Sequence, residues 1–75
     1  MRIEVTADDI AKGMKSNCYQ CPIALAIRRV TGDVFVGRWI VVNGKRFDKI
    51  KSVSEFIANF DDGRPVEPFS FHLPL

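Results

Sequence analysis

Long apolar runs are missing from this chain. The longest uninterrupted one is Ile23 to Ile27, too short to cross a bilayer as a helix. Cysteine is scarce: Cys18 and Cys21 are the only two, too few for the disulfide framework of a small secreted domain. Four Pro and five Gly exclude a collagen-like or low-complexity polymer. One histidine and no glycine-rich phosphate loop leave no nucleophile–base pair and no nucleotide cradle legible along the chain. A net charge of +2 is too small to imply nucleic-acid binding by itself, and has the wrong sign for an acidic DNA mimic. The start, Met1-Arg2-Ile3-Glu4, lacks the apolar stretch of a signal peptide, so a cytoplasmic location is expected.

What remains is an ordinary globular composition, 47% hydrophobic and 27% charged over 75 residues. That length allows a single domain spanning residues 1–75, with about 60–65% of the unfolded surface buried and little room for a deep catalytic pocket. The charge is unevenly spread. Residues 38–51 hold Arg38, Lys45, Arg46, Lys49 and Lys51 against Asp48 alone, while the remainder is acidic on balance.

Ile3 and Val5 alternate with Arg2 and Glu4, the period of a strand. Thr6 suits an N-cap, with Asp9 as the reciprocal partner three residues on, and Gly13 ends a short helix. Residues 14–20 read as a polar loop. Pro22 fits the first position of a second helix, whose Ile23, Ala24, Leu25, Ala26, Ile27 and Val30 leave almost no polar face before Arg28 and Arg29. Such a helix is buried, and its alanines permit close approach to a sheet.

Val34 to Ile50 carries the best hairpin signal, centred on the type I′ pair Asn43-Gly44. That turn sets Val42 opposite Lys45, Val41 opposite Arg46, Ile40 opposite Phe47 and Trp39 opposite Asp48. Gly37 marks a bulge, a bend or a further hairpin turn. Ser52 and Glu55 have capping-box spacing, and Val53, Phe56, Ile57 and Phe60 form one helical stripe. Gly63 then suits a left-handed C-cap. Val66 to Leu73 alternates Phe69, Phe71 and Leu73 with polar residues and Pro68, as an edge strand would. The expectation is α+β, in the order β-α-α-β-β-α-β. Three short helices would pack on one face of a small, mainly antiparallel sheet.

Several pieces together resemble a family of small uncharacterised proteins of tailed phages and prophages. They are Val5-Thr6-Ala7-Asp8-Asp9-Ile10, Cys21-Pro22-Ile23-Ala24-Leu25-Ala26, Phe56-Ile57, Phe60-Asp61-Asp62-Gly63, Pro65-Val66 and Pro68-Phe69-Ser70-Phe71. They cover roughly half the chain, and the hairpin is least alike. The resemblance implies no catalytic residue. It implies a compact accessory protein of bacterial cytoplasm, of a kind that often binds a host protein, defence machinery included.

Three features carry chemistry. Cys18-x-x-Cys21 before a helix has the arrangement of a redox thiol pair, because the helix dipole favours a thiolate. Pro22 follows the pair rather than separating it, so the plainer alternative is that Cys21 caps the helix while Cys18 sits in a loop. Zinc wants about four ligands, and Cys18, Cys21 and His72 supply three at most, so neither metal nor cofactor is expected. Asp61 and Asp62 oppose the dipole at a helix C-terminus, at about 0.3–1 kcal/mol each if exposed. A salt bridge to Arg64, Arg28 or Arg29, a turn bond or a partner contact would compensate.

The hairpin carries the main functional expectation. Val34, Val36, Ile40, Val42 and Phe47 share one face. Phe35, Trp39, Val41 and Ile50, with Arg46 and Asp48, share the other. Three short helices cover one face of such a sheet, and the aliphatic face is the better core. Phe35, Trp39, Val41 and Arg46 then face outward as a binding patch for a host protein or a second copy. The tail or a helix folding over Trp39 is the alternative. Docking of the basic hairpin in a nucleic-acid groove is another. That reading suffers because Lys45 and Lys49 fall opposite Arg46, which divides the charge.

Overall fold

A computed structural model describes residues 1–74. Eight elements follow in order: β1 (Arg2–Val5), α1 (Ala7–Lys12), α2 (Pro22–Val30), β2 (Val34–Val36), β3 (Ile40–Val42), β4 (Lys45–Phe47), α3 (Lys51–Asp61) and β5 (Phe69–His72). The class is α+β. The strands divide into two antiparallel sheets, β1–β5 and β2–β3–β4, where one sheet was expected. No strand exceeds four residues, and each sheet is closed by its own short ladder.

The hydrophobic helix α2 holds the two sheets together. Ile23, Ala24, Ala26 and Ile27 are at most 1% exposed, and the helix touches both β1 and β2. Its Cys21 N-cap and Pro22 N1 stand where the local rules place them. Gly13, which ends α1, has no left-handed need: its φ is −67°. Its requirement is space, since a Cβ there would lie 2.6 Å from the Pro22 ring.

The Thr6–Asp9 capping box forms in both directions, with N···O distances of 2.9 and 3.2 Å. The Ser52–Glu55 box does not. α3 starts two residues too early for it: Ile50 is the N-cap, with no side-chain bond, and Lys51 pairs with Glu55 at 3.7 Å. At the other end Gly63 takes φ 77°. Gly63 and Arg64 N–H then donate to Phe60 and Asn59 carbonyls, a complete Schellman closure.

The Asn43-Gly44 turn has φ of 50° and 84°, and the ladder runs Ile40↔Phe47, Val41↔Arg46 and Val42↔Lys45, as expected. Gly37 opens the turn of a further hairpin, pairing Val34↔Val42, Phe35↔Val41 and Val36↔Ile40. Two details of the expected hairpin are corrected. Trp39 belongs to that turn, so the Trp39–Asp48 pair lies outside the ladder. β4 ends at Phe47, and Ile50, half-exposed, leaves the outward face to cap α3 beside Phe71 and Leu73. The tail strand is shorter than expected, starting after Pro68, which has no N–H for a ladder. It pairs with β1 from Val5↔Phe69 to Arg2↔His72.

Candidate functional site

The register of β2–β3–β4 sorts its side chains cleanly. Val34, Val36, Ile40, Val42 and Phe47 are all buried and join the core. Their neighbours Phe35, Val41 and Arg46 therefore point away from it, by the two-residue alternation of a strand. Phe35 and Val41 are directly paired and half-buried; Arg46 is exposed. The turn then delivers Trp39 to the same side. Its indole is 38% exposed and lies under the Arg46 guanidinium, 4.6 Å from the ring centroid. Among the described residues no helix and no part of the tail seals it.

Glycine at position 37 makes this arrangement possible. The Phe35 ring lies over it, with Cε1 2.6 Å from where a Cβ would stand. Phe35 in turn receives the edge of Tyr19, with ring centroids 5.4 Å apart and planes at 71°. Tyr19 comes from the 14–20 loop and is 57% exposed. Arg28 Nη2 donates to the Tyr19 carbonyl, fixing the loop against α2. Tyr19, Arg28, Phe35 and Val41 line a shallow groove of about 300 Å³, closed at one end by Asp33 and the Asn43-Gly44 turn.

Thus the four expected face residues, Phe35, Trp39, Val41 and Arg46, come together. Tyr19 and Arg28 extend them, and neither is visible as part of the face in the sequence. Both arrive by a tertiary route: the only local hint is an aromatic residue in an otherwise polar loop.

The basic residues of the hairpin do not share one side. Lys45 stands over the Phe47 ring at 5.6 Å, on the core side of the ladder, while Arg46 is on the outer side. The division of charge expected from the alternation is present.

Cys18 and Cys21 are both free thiols. Cys21 is buried, and its Sγ accepts the Ala24 N–H at 3.4 Å as the N-cap of α2. Burial pushes this thiol up, outweighing the Ala24 and Ile23 N–H groups that pull it down. Cys18 is half-buried, and its carbonyl accepts the Val36 N–H at 2.8 Å, covering the edge of β2. The two line a cleft of about 270 Å³ with Lys49 and Asp61. His72 lies elsewhere: its Nδ1 is 3.5 Å from the amino group of Met1. Among the described residues no three metal-ligating side chains cluster.

Asp61 has a structural use. Its Oδ1 accepts the Ser16 N–H at 2.9 Å, holding Ser16 at φ 53° and tying the loop to α3. Asp62 faces Arg64 at 4.0 Å. Arg29, a candidate partner for Asp61, instead grips Asp9 through two bonds of 2.8 and 2.9 Å and the Glu4 carbonyl at 2.8 Å.

Compared with known proteins, the chain matches no protein family, no characterised protein and no solved structure.

Proposed function

We propose that the chain is a non-enzymatic accessory protein of phage or prophage type. It acts in bacterial cytoplasm by docking the outer face of β2–β3–β4 onto a host protein, with defence machinery among its targets. A second copy docking on the same face is the nearest relative of this reading. The mechanism is occlusion: Phe35, Trp39, Val41 and Arg46 cover a complementary patch and deny it to other partners.

One observation carries the reading. The only tryptophan of the chain is held 38% exposed and stacked by an arginine on the outer side of β2–β3–β4. Trp and Arg are the side chains most enriched among energetically dominant contacts of interfaces. Their stack is worth only about 0.5–1 kcal/mol at an exposed site, so it does little for the fold. It does hold both groups in one geometry before a partner arrives, which lowers the ordering cost of association.

The thiols support docking over redox chemistry. A low thiolate fraction and a capping duty at Cys21 are the opposite of what thiol exchange needs. Within the hairpin's own ladder Lys45 and Arg46 stand on opposite sides, so the two-stranded ribbon by itself presents no row of cations to a phosphate backbone.

The test is affinity capture from bacterial lysate with wild-type protein and a Trp39→Ala plus Arg46→Glu variant. The variant is expected to fold and to lose the captured partner, or to lose dimerisation. Retention of the same partner by a folded double variant would remove this face from the argument.

A further inference from the structure

The charge around the face names the chemistry of its partner. Among the described residues five cations are engaged in ion pairs: Arg2, Lys12, Arg29, Lys51 and Arg64. None of these is on the outer face of β2–β3–β4. Among the described residues, Arg46 on that face, Arg38 in the turn beside Trp39, and Arg28 at the groove have no carboxylate within pairing distance. Asp33 is the one acid lining the groove. Asp48, the single acid of the basic segment, lines the opposite cleft with Phe47 and Phe71. The aromatic face is thus framed by arginines that pair with no carboxylate among the described residues.

This framing tells partners apart. In a symmetric pair the same patch meets itself. Two copies would bring arginine-rich rims together, and like charges across an interface repel. A partner with carboxylates gains what a second copy loses. Bidentate guanidinium–carboxylate pairing adds direction to that gain. The groove lined by Tyr19, Arg28, Phe35 and Val41, at about 300 Å³, is at the lower limit of ligand pockets and has room for a large apolar side chain rather than a cofactor.

We infer that the occupant of this face is an acidic segment of another protein. It inserts an apolar side chain into the Tyr19–Phe35–Val41 groove and pairs flanking Asp or Glu with Arg28 and Arg46. The inference rests on the docking role given to this face above. It adds the sign of the partner's charge and the site of its anchor.

Panning a display library of short random peptides on the immobilised protein tests it. Trp39, the single tryptophan, reports binding at the face by its fluorescence. The expected winners carry Asp or Glu beside Leu, Phe or Trp. Their binding weakens about tenfold in Arg46→Glu and falls with added salt, as charge-steered association does. Arg46→Gln, which removes charge with little change of size, gives the same direction should the reversed charge unfold the sheet. Neutral or basic winners that bind wild type and are lost in Trp39→Ala overturn the acidic partner and leave the docking face standing. Winners indifferent to both Trp39→Ala and Arg46→Glu overturn the face and the inference together. So does a library from which nothing is selected. Retardation of duplex DNA or RNA that weakens steeply with salt reassigns the arginines to phosphate. A dimer by sedimentation that Arg46→Glu abolishes reassigns them to a second copy.

Discussion

Asp9 is the buried charge among the described residues, 4% exposed, and every lone pair that matters is used. Burial alone would raise its pKa. Hydrogen bonds from Arg29 and from the backbone and hydroxyl of Thr6, with the Arg29 charge, overcome that and hold the carboxyl below the ordinary range. The folded chain therefore binds this proton less readily than the unfolded one. The clamp contributes fully above the unfolded value and is lost as pH falls through the folded one. Urea unfolding at neutral pH and near pH ~3 is expected to show a smaller acid loss for Asp9→Asn than for wild type; equal losses would mean Asp9 contributes nothing to the acid limb. Arg29→Ala leaves the carboxylate partly unpaired and is expected to cost about 1–3 kcal/mol at neutral pH. The capping box was legible from Thr-x-x-Asp spacing alone. The arginine was not, because it stands 20 residues away on another helix. At Cys21 the same logic has the opposite sign. With its thiol pushed up by burial, alkylation is expected at Cys18 first, with Cys21 modified only as the protein unfolds. Cys21 reacting as fast as Cys18 in the folded protein would contradict this.

Helix ends separate local rules that hold from one that fails. Thr6→Ala is expected to lower stability by about 1 kcal/mol, since the hydroxyl accepts an otherwise orphaned N–H. Ser52→Ala, at the position sequence spacing nominates as a cap, should change the unfolding free energy from urea titration by less than about 0.5 kcal/mol. The true N-cap, Ile50, makes no cap bond. Ile50→Asp supplies one and is expected to stabilise by up to about 1 kcal/mol. A larger loss in Ser52→Ala than in Thr6→Ala would reverse this assignment. The failure has a physical origin. Capping-box spacing names a position where a helix could start, and here α3 already begins at Lys51, so Ser52 lies inside its first turn. Hairpin register, by contrast, was readable to the residue. Asn43-Gly44 demands positive φ at both positions, and a slip by one would turn Ile40, Val42 and Phe47 out of the core.

Across the whole molecule, two sheets too small to stand alone share one core around α2. Ile27→Ala or Ile40→Ala empties space at residues that are at most 1% exposed. Either is expected to cost about 2–5 kcal/mol, a large share of a domain's usual 5–15. Trp39→Ala removes a larger side chain from a site that stays wet. It is expected to change thermal stability by no more than about 1 kcal/mol, the worth of its stack with Arg46. Thermal unfolding of the three variants decides the matter: a Trp39→Ala loss equal to that of Ile40→Ala would make the indole a core residue and withdraw the docking face. No helix among the described residues is long and apolar enough to cross a membrane.

Periodicity and turn chemistry in the sequence by themselves determined the α+β class, the burial of α2 at Ile23, Ala24, Ala26 and Ile27 (though not at Val30, which is exposed), the sides of the hairpin and the outward position of Phe35, Val41 and Arg46. These depend on contacts within a few residues, or on an alternation that a ladder cannot violate. The tertiary structure alone decided that the strands form two sheets, that Arg29 reaches Asp9, and that Tyr19 and Arg28 complete the groove beside Phe35. Such contacts join segments that nothing in their local pattern links. They arise only when packing α2 against both sheets brings the segments side by side.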